Sequence, residues 1–510
     1  MGHDQRHWGK RLSGDGHERF DPLSTFKVPS VERGTAAVAE ETGRRAALRA
    51  VSRGRVDILI IGNGIAGCAA AMQARQHEPG AEILVVTEQP HPTINTPALK
   101  QFGAGHLELE QLLAQPPGTE RRLRIGVIQQ HVERIDVRSR QVYLRGGQHI
   151  QYERLLLATG SRPVGFPSLP GADFDGVMTL HTLRDYLDLR RRLPVTSHAI
   201  VCGGGYHAAE SALLLRQANV RVTWLIRGRS ILAGQLDTPS SDLLLQQVQR
   251  QGVEVRLETE AAGIVGRLGV AAGVLSTDGE FIPGELIIAA TGVRPDTMLV
   301  QGTDMAMQAR HGLRVDERLQ TVMPNVYAAG AVASILDPQS RQRDSRAQWY
   351  FAFQQGRLAG ASLAGASIPE DARTAATGAF WHATHLGKLA VVSAGAPMLS
   401  ERDHDDIEIA GNGSAAFHRR IVLRGDHLVG YLAVGAHPPS GLAIKRIIDE
   451  RLDVRAIRKQ LLSEDFDVPA FLRKRHIHFL QERADLPVAP TPATMPIGRA
   501  QDLQAQLYPA

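Results

Sequence analysis

Two short glycine-rich segments carry the chain's most telling chemistry. The first, Gly62-Asn63-Gly64-Ile65-Ala66-Gly67, follows the apolar run Val56-Asp57-Ile58-Leu59-Ile60-Ile61 and precedes the alanine-rich segment Cys68 to Arg75. Such a run suits a parallel strand buried on both faces, and the segment after it reads as a helix. Gly62 permits the tight turn, Gly64 lets the backbone approach a pyrophosphate, and Gly67 lets the helix pack close to the sheet. The helix N-terminus offers backbone N–H groups and a partial positive charge to phosphate, and Ile65 and Ala66 of the turn are candidate cofactor-binding residues. A second strand, Glu82 to Thr87, ends at Glu88, an acid placed to accept hydrogen bonds from ribose hydroxyls. The plan recurs. His198 to Cys202 is a strand, Gly203-Gly204-Gly205-Tyr206-His207-Ala208 a turn, Ala209 to Gln217 a helix and Val220 to Ile226 the next strand. Ile226 stands where an acid would hold the 2′-hydroxyl of NADH. Arg227 and Arg229 follow it and suit a 2′-phosphate, although Arg227 could equally be solvated. NADH and NADPH both stay open, with the arginines tipping the balance slightly to NADPH.

Further motifs give these turns a context. Leu156-Leu157-Ala158-Thr159-Gly160-Ser161-Arg162-Pro163 and Ala290-Thr291-Gly292-Val293-Arg294-Pro295 are two of them. Asn325-Val326-Tyr327-Ala328-Ala329-Gly330 and Arg346-Ala347-Gln348-Trp349, followed by Ala352, Gln355, Gly356 and Arg357, come later. Together these segments resemble the FAD-dependent pyridine nucleotide–disulfide oxidoreductase superfamily over about residues 55 to 460. The nearest pattern within it is the NAD(P)H:rubredoxin, ferredoxin and nitrite reductase-like branch. The resemblance implies FAD at the first turn and NAD(P)H at the second. It makes Ala158, Thr159 and Gly160 the crossing from the FAD domain and Thr291 and Gly292 the return. Gly330 becomes part of the late flavin-binding strand, and Trp349 part of the helix beside the flavin ring. Gly203, Gly205 and Tyr206 hold the nicotinamide cofactor, and Glu210 is an acid near nicotinamide and flavin.

The departures from the family pattern are specific. Ala331 stands where the family has an aspartate that binds the ribityl chain. Thr96 precedes Pro97 where an arginine is common. Gln101 falls at the position of a lysine near the flavin N5, with Lys100 one place early, so Lys100 either substitutes for it or is a surface lysine. The paired cysteines and the C-terminal His–Glu base of the disulfide-reducing branch are absent. The two cysteines, Cys68 and Cys202, form no CxxC pair and read as small buried packing residues. No metal site is expected: His382 and His385 have i, i+3 spacing without a third ligand and read as structural or surface residues.

The elements that must position these residues divide the 510-residue chain, too long for one core, into several units. The expected fold class is α/β, with two Rossmann-like dinucleotide-binding domains, for FAD and NAD(P), and a smaller C-terminal α+β domain. Residues 1–54 read as an N-terminal extension with a helical patch at 35–51 and a cluster of Arg44, Arg45, Arg49, Arg53 and Arg55. Residues 55–165 and 291–370 form the two parts of the FAD domain, and 166–290 the NAD(P) domain. Residues 371–460 form the C-terminal domain, with strands near 388–392, 419–423 and 428–434. Residues 461–510 are a tail with a Pro-rich run at 487–496. The formal net charge of +5 is mild for this length. No Lys/Arg run is interleaved with aromatics, so nucleic acid is not an expected partner. The cluster Arg473, Lys474, Arg475, His476 and His478 reads as a solvated helix face. No apolar run reaches the ~18 residues of a membrane span, and the start lacks a signal-like apolar region, so a cytoplasmic location is expected.

These readings converge on an FAD-dependent NAD(P)H oxidoreductase. It would pass electrons through flavin to a small redox protein, a partner subunit or another small acceptor, as a homodimer, the usual assembly in families of this pattern. The rival reading is a divergent, non-catalytic or complex-bound homologue that keeps the fold as a flavin-binding or scaffold subunit. It is motivated by Ala331, Ile226 and Gln101.

Overall fold

The computed structural model describes residues 53–308, 311–400 and 406–474. The helical patch at 35–51, the run at 487–496 and the cluster beyond Lys474 lie outside the described residues. The first apolar run becomes β1 (Arg55–Ile61), which turns at once into α1 (Ile65–His77) and then β2 (Ile83–Thr87). The helix starts earlier than the alanine run suggests because the glycine turn feeds straight into it. A short helix α2 (Leu99–Gly103) and β3 (Gly126–Gln129) follow. An antiparallel run, β4 (Val132–Asp136), β5 (Gln141–Leu144) and β6 (His149–Leu157), completes this pass. The strand order is β3-β2-β1-β6-β5-β4, with β1 parallel to both β2 and β6. The order reverses between β1 and β6, and a crevice opens outside the carboxyl ends of strands at such a point.

The chain leaves this sheet through β7 (Ser161–Pro163) and builds a second one. Its elements are β8 (Val177–Met178), α3 (Leu183–Arg192), β9 (His198–Cys202), α4 (Tyr206–Gln217), β10 (Arg221–Leu225), α5 (Thr238–Arg250) and β11 (Val253–Arg256). A three-stranded antiparallel sheet, β12 (Ala261–Arg267), β13 (Val270–Ser276) and β14 (Phe281–Pro283), precedes β15 (Leu286–Ala289). The parallel order is β11-β10-β9-β15-β8, so β9 and β15 repeat the relation of β1 and β6. Strands β2, β9 and β15 are buried along their whole length, as expected of parallel strands covered on both faces.

The return strand β16 (Val293–Pro295) pairs antiparallel with β7, with Arg294 opposite Arg162. The two Ala-Thr-Gly segments are therefore the two sides of one double crossing. After β17 (Leu313–Arg314), β18 (Val326–Ala328) adds to the first sheet beside β6. A hairpin of β19 (Ala333–Leu336) and β20 (Arg343–Ser345) leads into α6 (Trp349–Leu363) and α7 (Glu370–Thr377). Helices α1 and α6 cross without room for a side chain: a Cβ on Gly356 would stand 2.3 Å from the Ala66 carbonyl oxygen, and one on Gly360 would stand 2.4 Å from that of Ala70.

The C-terminal unit is an antiparallel sheet of β21 (Trp381–Leu386), β22 (Leu389–Gly395), β23 (Ile407–Gly413), β24 (His418–Arg424) and β25 (His427–Gly435), followed by α8 (Gly441–Asp449). Alternation along its strands divides the sheet's work. Val391, Leu432 and Val434 join the core of the second sheet, while Val392, Tyr431 and Ala433 pack with Ile444, Ile447 and Ile448 of α8. That second core also takes in Leu461, Val468 and Leu472, so the unit continues beyond residue 460. Polar ties hold it in place. His418 Nε2 lies 2.9 Å from Asp237 Oδ2, at the start of α5. Buried Arg346 pairs with Asp337 at 2.6 Å and donates to the Gly378 carbonyl at 2.6 Å. No helix of the described residues is long and apolar enough to cross a membrane.

Gly356→Ala should therefore lower stability by about 1–3 kcal/mol through overpacking. Gly80→Ala, whose Cβ meets nothing within 4 Å, should stay within about 0.5 kcal/mol. Thermal melting of the two variants checks this; equal midpoints would contradict the close helix contact.

Candidate active site

The first turn forms because its glycines have no side chain to resist it. Gly62 has φ +106°, and a Cβ there would stand 2.3 Å from the Ala158 carbonyl oxygen. A Cβ on Gly67 would stand 2.0 Å from the Gly62 carbonyl oxygen, so the helix is pressed against the turn. The second turn repeats this. Gly203 has φ +141°, and its Cβ would stand 2.1 Å from the Ala290 carbonyl oxygen. Ala208, fully buried, takes the place of the third glycine. Gly64 and Gly205 behave differently: nothing lies within 4 Å of a Cβ at either, and both open onto a cavity.

That cavity, about 2850 Å³, runs continuously past both turns. Three helices begin on it, α1 at Gly64, α4 at Gly205 and α6 at Gln348, and none has a side-chain cap. By contrast, α3, α5 and α8 are capped by Thr182, Asp237 and Ser440. Uncapped first-turn N–H groups beside open space suit anionic or carbonyl ligand atoms. Ile65, Ala66, Glu88, Ala158, Thr159, Gly160, Thr291, Gly292, Gly330, Tyr206 and Trp349 all line the cavity. Gly67 and Gly203 stand behind this wall and act through packing. Glu88 is bonded to His131 Nδ1. Thr159 Oγ1 donates to the Asp296 carbonyl at 2.7 Å and Thr291 Oγ1 to that of Gly165 at 2.8 Å, fixing the two crossings. Gly330 N–H donates to Gln355 Oε1 at 2.9 Å, and Ala331 sets a methyl group on the wall beside it. Trp349 stacks on Phe353 with centroids 5.6 Å apart, and its buried indole N–H has no partner among the described residues.

A charged cluster lines the same cavity. Lys100 Nζ, on α2, bonds Glu210 Oε2, on α4, while Gln101 is exposed on the cavity rim. Of the two neighbours, Lys100 is thus the one that reaches the acid, and it is not a free surface lysine. Thr384 Oγ1, on β21, donates to the other oxygen, Oε1, at 2.6 Å. Burial opposes the charge on Glu210, but Lys100 and the two hydrogen bonds outweigh it and hold its pKa below the ordinary carboxylate value. Burial, reinforced by Lys100, pushes His207 and His382 down to about 4, so both are neutral at pH 7. His382 was expected to be structural or on the surface. Instead it lines the cavity with its ring centroid 4.6 Å from that of Tyr206. Its Nε2 and the Tyr206 hydroxyl are both buried without a partner among the described residues. Sequence reasoning missed His382, Thr384 and His131. The Trp381-His382-Ala383-Thr384-His385 segment was weighed by helical spacing, whereas it is a strand in which 382 and 384 share a face.

Arg227 departs from its expected place. It does not line the cavity; it is exposed and pairs with Glu260 at 3.4 Å, as Arg229 pairs with Glu258 at 3.0 Å. Strand β10 ends at Leu225 and Ile226 is buried, which carries Arg227 outward. Burial raises the thiol pKa of Cys68 to about 11 and that of Cys202 to about 12, so neither is poised as a nucleophile. Among the described residues, no group of three or more His, Cys, Asp or Glu side chains could hold a metal ion.

Comparison with known proteins agrees with this geometry. Residues 56–356 match the family model described as pyridine nucleotide-disulphide oxidoreductase. The probable ferredoxin reductase of Castellaniella defragrans is 27% identical, with 78% of this chain aligned to 98% of it. The putidaredoxin reductase of Pseudomonas putida is 29% identical over 78% of this chain and 93% of its own. In fold, the chain matches a crystal structure of the covalent putidaredoxin reductase–putidaredoxin complex with a TM-score of 0.73 at 24% identity, over 82% of this chain and 98% of that one. This chain belongs to the pyridine nucleotide-disulphide oxidoreductase family, the FAD- and NAD(P)H-dependent oxidoreductases that its glycine turns led us to expect.

Proposed function

We propose that the chain carries electrons from NADH or NADPH through FAD to a small redox protein, acting as a cytoplasmic homodimer. The observation that carries this reading is the cavity onto which both glycine turns open and which the Lys100–Glu210 pair also lines. The residues present fit two dinucleotides. Gly64, Ile65 and Ala66 offer N–H groups to the FAD pyrophosphate, and Glu88 accepts from its ribose. Ala158, Thr159, Gly160 and Gly330 supply backbone along the same ligand, and Trp349 an aromatic wall. Gly205 and Tyr206, with Thr291 and Gly292, serve the nicotinamide cofactor. FAD supplies the hydride-accepting ring when bound. Lys100 holds a positive charge beside that region, and Glu210 fixes the lysine.

A thiol relay is not part of this reading, because the chain's two cysteines are buried and their pKa values are raised. The acceptor follows instead from the two reductases above, named for ferredoxin and putidaredoxin. The rival, non-catalytic reading rests on Ala331, Ile226 and Gln101. It loses one of its three supports, because Lys100 takes up the contact with Glu210.

With FAD added, the purified chain should reduce a small iron–sulfur protein at the expense of NADH or NADPH. Reduction of ferricyanide alone would restrict the acceptor to small molecules, and turnover with neither would contradict the proposal. Lys100→Met should slow flavin reduction roughly 10- to 100-fold, checked by stopped-flow absorbance, and should lower the melting temperature because the enclosed Glu210 carboxylate loses its partner. Ala331→Asp should tighten FAD binding roughly tenfold or more, through one charge-assisted hydrogen bond, as measured by flavin fluorescence titration. Glu258→Gln combined with Glu260→Gln should raise the NADPH-to-NADH ratio of kcat/KM a few-fold by freeing the two arginines, a modest gain because these pairs are exposed.

A further inference from the structure

The Glu210 carboxylate is held from three sides. Lys100 reaches it from the unit of the first sheet, Glu210 itself stands on α4 of the second, and Thr384 comes from the C-terminal sheet. The placing of Thr384 follows from strand geometry. In β21, residues 382, 384 and 386 share one face. Leu386 anchors that face in the core of the second sheet, with Val391 and Val434. Thr384 is 8% exposed and lies opposite Val391 in the β21–β22 register. Its hydroxyl is therefore carried to Glu210 by an apolar interface with little freedom to move. A carboxylate this enclosed, 13% exposed at its side chain, needs both oxygens satisfied to stay ionised.

We propose that Thr384 is a positioning residue of the redox site: its hydroxyl holds Glu210 Oε1 so that Oε2 stays charged and fixes Lys100, which makes the C-terminal domain part of the electron-transfer machinery. The inference rests on the oxidoreductase reading above. Lys100 from α2 and His382 from β21 face Glu210. Tyr206 and His207 from α4 and Tyr186 from α3 are also close enough to interact electrically. The Lys100 charge is matched by Glu210, while His207 and His382 are kept neutral at pH 7. Removing the Thr384 hydroxyl leaves Oε1 unpaired, raises the pKa of Glu210, and lets acid uncouple Lys100 at a higher pH. The sign is fixed. The folded pKa of Glu210 is depressed, so its charge is present above that pKa and lost as pH falls through it.

The test uses the full chain with FAD bound. The flavin midpoint potential is measured against pH with reference dyes for the native protein, Thr384→Val and Thr384→Ser. Protonation of Glu210 removes a negative charge from beside the flavin and bends this curve. The bend should move up by about one to two pH units in Thr384→Val and return to the native position in Thr384→Ser. Adding Glu210→Gln should abolish the difference between Thr384→Val and native threonine, because the hydroxyl acts only through that carboxylate. Superimposable curves for native protein and Thr384→Val would overturn the proposal, as would a Thr384→Ser curve like that of Thr384→Val. If Thr384→Val does not fold, Thr384→Ala against Thr384→Ser carries the same comparison. Failure of the parent reading is separately visible, because dye titration needs neither NADH nor NADPH. A flavin that no nicotinamide reduces would refute that reading while leaving the Thr384 comparison measurable.

Discussion

One buried carboxylate is the point on which the site depends. Glu210 sits where two dinucleotide-binding units and a C-terminal sheet meet, and each supplies one part of its environment. Charge buried in this way is costly unless it is paired and fully hydrogen-bonded. The pairing here is complete, one oxygen to Lys100 and the other to Thr384. Changes in the relative placement of the three units therefore register at this carboxylate first. The hydrophobic interfaces set the distances, and the carboxylate makes them matter for chemistry.

A second constraint sits in the backbone. Each glycine turn brings a strand end within touching distance of the neighbouring strand's end, Gly62 against Ala158 and Gly203 against Ala290. Side chains are excluded there, so the helices that follow begin at the cavity wall. A third helix start, at Gln348, faces the same space. Three uncapped N-termini converging on one cavity create a region of positive potential without a surplus of basic residues.

Much of this was legible in the sequence because the features are local. Strand, turn and helix follow one another within about thirty residues of each glycine motif, and the two Ala-Thr-Gly segments announced the double crossing. What escaped were contacts made across the fold. Lys100 could not be chosen over Gln101, since their difference lies in which face of a five-residue helix meets α4. Thr384 and His382 carry no motif; their role comes from a strand register set by apolar residues on distant segments. Arg227 went the other way. Its position in the motif was right for a 2′-phosphate, but the buried Ile226 before it and Glu260 beside it turn it away from the cavity.

The central claim is that one cavity brings a nicotinamide cofactor and FAD together for hydride transfer. Its most direct test is anaerobic absorbance of the FAD-loaded chain on addition of one equivalent of NADH or NADPH. The account predicts loss of the visible flavin band with at least one donor. A flavin that stays bound and oxidised with both would contradict it.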